Sequence, residues 1–187
     1  MPVSRASAAP PTAPTNPRQR LALSETLPGF AALASGLVAL ALGALCRGFT
    51  VDDALITCRY AHHLAAGRGY VMNPGGPSTD GVTPLGYAHL LSLFAGGSTL
   101  AALTAAKLLG LGLHTAGAAA LAYAIAKTEA GLHKWAGLLA YFAALPASAY
   151  AVSGLETGFV AGLCAIGISL RALGRFDHRL DAETLED

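Results

Sequence analysis

Uncharged apolar stretches alternate with short charged connections along this chain, and their lengths separate spans from non-spans. About 20 apolar residues rising 1.5 Å each cross a hydrocarbon core of about 30 Å. Leu27 to Cys46 meets that requirement and predicts a first crossing. Leu108 to Ala126, bracketed by Lys107 and Lys127, predicts a second; Trp135 to Tyr150 with its flanks predicts a third, and Leu155 to Leu173 a fourth. Each bracketing lysine can carry its charge to an interface on an apolar stem. The last two spans meet at Ser153-Gly154-Leu155-Glu156-Thr157, a turn so short that they must be antiparallel neighbours. Thr83 to Gly97 is apolar but short, begins with Pro84 and stops at Gly96-Gly97, which predicts an interfacial or re-entrant helix.

Between the first two spans lies the polar segment Arg47 to Asp80. Over Val51 to Ala66 the apolar residues Ile56, Tyr60 and Leu64 recur every fourth position while Arg59, His62 and His63 take another side, so an amphipathic helix lying on the membrane is expected. Gly67 is placed to end it. Asn73-Pro74-Gly75-Gly76-Pro77 then reads as consecutive turns. The expected fold is an all-α membrane protein of about four transmembrane helices, with a structured non-cytoplasmic loop containing an amphipathic helix between the first and second.

Composition agrees. Apolar side chains make up 53% of the 187 residues and charged ones 12%, against about a quarter charged in soluble domains. A net charge of +1 and 7% aromatic residues supply neither the basic field nor the stacking platform of a nucleic-acid binder. The first twenty residues, rich in Ala, Pro, Ser and Thr, cannot bury enough apolar surface to order themselves. The expected organisation is a cytoplasmic tail over residues 1–26, a membrane module over 27–173 with its loop at 47–80, and a polar tail over 174–187. The first span ends in Ala44-Leu45-Cys46-Arg47 without an A-x-A site, which reads as a permanent helix and not a cleaved signal. Arg18 and Arg20, Lys127 and Lys134, and Arg171, Arg175 and Arg179 fall on one side of a four-span chain. That bias places both termini in the cytoplasm of a multi-pass inner-membrane protein and the 47–80 loop and Glu156 outside. Cys46, Cys58 and Cys164 lack zinc or redox spacing and read as small buried hydrophobes, with a Cys46 to Cys58 disulfide left open.

Adjacent carboxylates just beyond a membrane helix are costly against lipid, so Asp52 and Asp53 must face water, a metal or a polar partner. Glu156 emerges on the same side. Converging acids of this kind can act as a general base toward a hydroxyl and as ligands for a hard divalent cation. An alternative is structural: Thr50-Val51-Asp52-Asp53 fits a capping box with Thr50 at the N-cap, and acids in a first helical turn suit the helix dipole.

The stretch Phe49-Thr50-Val51-Asp52-Asp53-Ala54-Leu55-Ile56-Thr57-Cys58-Arg59-Tyr60-Ala61, followed by Gly67-Arg68-Gly69-Tyr70-Val71-Met72-Asn73-Pro74-Gly75 and Gly81-Val82-Thr83-Pro84-Leu85, resembles the first periplasmic loop of GT-C superfamily glycosyltransferases. It is most similar to the bacterial cell-wall arabinofuranosyltransferases and their relatives. Ser153-Gly154-Leu155-Glu156-Thr157 also resembles a motif of that group. The resemblance implies transfer of a sugar from a polyprenyl-phosphate donor at the outer membrane face. It implies that one of Asp52 and Asp53, with Asp53 preferred, takes the acceptor proton while the other orients the hydroxyl or binds a metal (Mg or Mn), and that Glu156 completes the acidic site. Arg59, His63 and Lys107 are candidates for the donor phosphate, although surface histidines such as His62-His63 are commonly just solvated, and a lysine placed like Lys107 is more often a snorkelling anchor.

The chain is short for that superfamily, whose members have many more membrane helices. Another membrane protein chain is therefore an expected partner beside membrane lipid and the lipid-linked sugar. The rival expectation is a non-catalytic scaffold or accessory subunit of a larger membrane complex that keeps the fold. Small residues at Gly110, Gly112 and Gly117 to Ala120 predict close helix approach, first for folding and second for assembly.

Overall fold

The computed structural model describes residues 17–79, 81–82, 85–128 and 145–184. Within them the ordered backbone is helical apart from one isolated antiparallel bridge between Val71 and Ser78. The helices are α1 (Pro17–Leu45), α2 (Asp52–Ala65), α3 (Leu85–Ser92), α4 (Thr99–Lys127), α5 (Leu145–Ala151) and α6 (Glu156–Thr184). Three contain stretches long and apolar enough to cross a membrane: Thr26–Leu45, Thr99–Lys127 and Glu156–Arg175. The chain is thus a multi-pass membrane protein, helical throughout the elements of its described residues. The expected crossing over Trp135 to Tyr150 lies largely outside the described residues, which include only its last part, within the short helix α5.

The second span begins at Thr99, not at Leu108. Ser98, extended at φ −153°, caps it by accepting from the Ala101 amide at 3.1 Å. The helix then runs through Lys107, whose ammonium is satisfied by two carbonyl oxygens and a hydroxyl and therefore does not end the element.

Small residues set the packing. A Cβ on Gly43 would strike the Leu111 side chain, and one on Gly36 would lie 3.5 Å from Ala119 Cβ and 3.8 Å from Thr115. This register makes α1 and α4 antiparallel. A Cβ on Gly162 would strike the Leu113 backbone, and one on Gly117 would lie 3.0 Å from Ala165 Cβ. Residues later in α4 thus meet residues later in α6, so these two helices run parallel. Gly110 faces the Ala151 carbonyl just as closely. Close backbone approach is how apolar helices gain contact where lipid offers no hydrophobic contrast. The end of α1, the Lys107 level of α4 and the start of α6 consequently share one end of the bundle.

At that end α2 and α3 pack across the first turns of α4, burying Cys58, Ala61, Tyr87, Leu91, Ala95, Ala102 and Ala106 together. The buried face of α2 is therefore turned to protein, which departs from a helix lying apolar side down on lipid. His63, expected on the solvated side, is 3% exposed, and its Nδ1 lies 2.7 Å from the Val71 carbonyl. The reason is the return of residues 67–79 over α2, with Tyr60 and Tyr70 rings 4.6 Å apart between them. Gly67 ends α2 as expected: at φ +69° it donates to Leu64 O while Arg68 N donates to His63 O, the paired bonds of a Schellman cap. The capping box does not form. Val51 is the N-cap and makes no side-chain cap bond. The Thr50 hydroxyl instead accepts from Lys107 Nζ at 2.8 Å.

Candidate active site

The acids are placed by two tight connections. After α1 the chain turns through Arg47 to Thr50, where Lys107 Nζ donates to Arg47 O (3.0 Å), Phe49 O (2.7 Å) and Thr50 Oγ1 (2.8 Å). Phe49 also packs edge-on against Tyr150, with centroids 5.8 Å apart. Val51 N then donates to Ser153 O at 3.4 Å, joining the start of α2 to the turn before α6.

That turn is built by its own side chains. Ser153 Oγ donates to Tyr150 O (2.9 Å) and accepts from Leu155 N (3.2 Å). Gly154 follows at φ +94°, a conformation glycine adopts without strain. Glu156 is then the first residue of α6, and Asp52 and Asp53 are the first two of α2. The N-terminal ends of α2 and α6, where the dipole favours negative charge, meet in space.

Between them lies a cleft of about 330 Å³ lined by Asp53, Ile56, Thr57, Gly81, Val82, Leu155 and Glu156. Asp53 and Glu156, expected to share a site, do line one cavity. Asp52, on the neighbouring helical position, is exposed and does not line it. Thr57, one turn after Asp53, adds a hydroxyl whose proton goes to the Asp53 carbonyl at 3.3 Å, leaving the oxygen lone pairs as acceptors. Ile56, Val82 and Leu155 supply apolar wall. The Gly81-Val82 side is held by Tyr60 Oη against Thr79 Oγ1 at 2.8 Å and by Tyr70 Oη donating to Val82 O at 3.3 Å. Tyr87 lies behind the cleft, 5.5 Å from the Phe159 ring, and donates to Ala106 O at 3.5 Å. Burial, with smaller contributions from Cys58 and Glu156, pushes its phenol up, so it remains a neutral donor.

The cationic candidates are not gathered in the cleft. Arg59 is exposed and donates to Asn73 Oδ1 at 3.0 Å, His63 is buried against Val71 O, and Lys107 is engaged with the α1 to α2 connection. His89 stacks with Tyr70 at 6.1 Å. Among the described residues no three His, Cys, Asp or Glu side chains converge as a metal cage. Asp53 and Glu156 are the two carboxylates that line the cleft, and Asp52 does not line it.

Sequence reasoning missed Thr57 and Tyr87. The spacing Asp53 to Thr57 on one helical face was a usable signal. The placement of Tyr87 depends on how α3 crosses α4, which no local pattern encodes. The cysteines are all free, leaving no Cys46 to Cys58 disulfide. No protein-family model, curated protein or solved structure matches this chain.

Proposed function

We propose that this chain is a GT-C-like membrane glycosyltransferase module that transfers a sugar from a polyprenyl-phosphate donor to a hydroxyl acceptor at the outer membrane face. The observation that carries this reading is the meeting of Asp53 and Glu156 in one cleft at the end of the bundle. Asp53 takes the proton of the acceptor hydroxyl, and the acceptor oxygen bonds to the anomeric carbon as the sugar–phosphate C–O bond breaks. The polyprenyl phosphate leaves with that electron pair. Glu156 and Thr57 orient the acceptor through its other hydroxyls. General base assistance of this kind contributes about a hundredfold or more to rate. A divalent cation held by Asp53 and Glu156 would neutralise phosphate charge beside them.

Four crossings fit this reading, with both termini in the cytoplasm of an inner-membrane protein. Parallel α4 and α6 support the count, because a connection between them has to return across the layer. The basic residues at Lys127 and Arg171 to Arg175 then share the cytoplasmic side. A partner membrane chain would complete the cage around the lipid carrier. The direct test is incubation of purified chain with polyprenyl-phosphate sugar and acceptor, comparing wild type with Asp53→Asn.

A second reading, an accessory subunit without turnover, draws on one observation. Leu93 and Phe94 are 77% and 49% exposed between α3 and α4, outside the three candidate spans. Exposed apolar surface outside a span marks a contact site. Copurification of a partner with no loss of function in Asp53→Asn would favour it.

A further inference from the structure

Lys107 stands eight residues into α4, level with the end of α1, and its surroundings are unusual for a lysine at a membrane boundary. An ammonium has three N–H donors, and here three acceptors receive them: Arg47 O at 3.0 Å, Phe49 O at 2.7 Å and Thr50 Oγ1 at 2.8 Å. These acceptors form the short connection between α1 and α2. Arg47 and Phe49 lie two and four residues past Leu45, the last residue of α1, so the lysine grips the connection itself from α4 and does not cap the helix's own carbonyls.

The same connection is gripped on its other side. Val51 N donates to Ser153 O, and Ala54 and Leu103 both abut Gly154, so α2, α4 and the turn before α6 meet at one point. Asp53 stands two residues after Val51 and Glu156 two residues after Gly154. The Arg47 to Thr50 connection runs directly into Val51, so what holds it also bears on where Asp53 stands relative to Glu156.

We infer that Lys107 is a positioning residue: it fixes the separation of Asp53 and Glu156 by holding the α1 to α2 connection, and it is not a ligand for substrate phosphate. This inference deepens the proposed transferase reading and rests on it for its catalytic meaning. The geometric part stands without any reaction.

The test uses the full chain in detergent or vesicles, with Cys46→Ser, Cys58→Ala and Cys164→Ser as background. Asp53→Cys and Glu156→Cys are joined by a short bifunctional thiol reagent, and the cross-linking rate is measured with Lys107 present and in Lys107→Met. The rate is expected to fall by about tenfold or more, since displacements near 1 Å cost large factors in reactions that need juxtaposition. Lys107→Arg, whose planar fork does not match three acceptors around one point, is expected to behave like Lys107→Met. A milder variant, Thr50→Val, removes a single acceptor and is expected to slow cross-linking in the same direction. It carries the test if Lys107→Met does not fold. In the transferase assay Lys107→Cys alkylated with bromoethylamine, which restores an ammonium at nearly the same reach, is expected to recover the kcat that unmodified Lys107→Cys loses, with KM unchanged throughout. Unaltered cross-linking in both Lys107→Met and Thr50→Val would overturn the inference, and so would a rise in donor KM with kcat preserved, the signature of a phosphate ligand. Because cross-linking consumes no substrate, it separates failure of this inference from failure of the transferase reading.

Discussion

A Cβ on Gly154 would lie 2.9 Å from the Ala54 Cβ, at a backbone φ of +94°. This contact seats the turn before α6 against the first turn of α2, and it is what brings Glu156 to the cleft of Asp53. Gly154→Ala meets both an unfavourable φ and a collision with Ala54 and Leu103. The conformational part alone costs about 1–3 kcal/mol. A lower thermal midpoint in detergent and loss of transfer are expected together, and an unchanged midpoint would contradict this packing.

The helix contacts predict a graded response. Gly162→Leu drives a side chain into the Leu113 backbone, and overpacking of this kind costs about 1–3 kcal/mol or more. Gly167→Leu, on the same helix with nothing within 4 Å, is expected to be tolerated. Thermal melting of the two variants side by side checks the α4 to α6 register.

Burial pushes the Cys58 thiol up from 9.0 to about 11. The folded chain then keeps a proton that the unfolded chain releases, so this group makes stability fall as pH rises from about 9 to 11 and has no effect on the slope below that window. Tyr87, shifted in the same direction, adds to the fall only above its ordinary value of 10.0. Melting measured against pH is expected to show the decline, and Cys58→Ala to flatten it between pH 9 and 10. At pH 7 a maleimide is expected to label Cys46, partly exposed at the end of α1, and to spare Cys58.

The proposed topology predicts sidedness. In intact cells or sealed right-side-out vesicles lacking native cysteines, Ser78→Cys is expected to react with a membrane-impermeant thiol reagent, and Lys127→Cys and Arg175→Cys only after permeabilisation. Labelling of Lys127→Cys from outside would contradict the assignment.

What the sequence carries is local. The uncharged runs mark the three described spans, Gly67 marks the end of α2, and Asp53 with Glu156 marks the cleft, because length, backbone freedom and charge near lipid act within a few residues. What it hides depends on partners far along the chain. Thr50 has the form of an N-cap, yet its hydroxyl is claimed by Lys107, 57 residues away. His63 follows the polar pattern of its helix, yet Val71 folds back and buries it. Lys107 has the form of a span boundary but lies inside α4, since the oxygens that satisfy it come from the connection between α1 and α2.

The most direct test of the account is the transfer rate of Asp52→Asn, Asp53→Asn and Glu156→Gln, measured with thermal stability on the same preparations. Each change keeps shape and removes charge. Since no side chain caps α2, the structural cost at Asp53 is confined to a dipole contribution of about 0.3–1 kcal/mol. The account predicts that Asp53→Asn lowers transfer by about a hundredfold or more at nearly unchanged stability. Glu156→Gln should follow it, and Asp52→Asn, outside the cleft, should stay near wild type. Wild-type turnover in Asp53→Asn would contradict the central claim that this cleft is an active site.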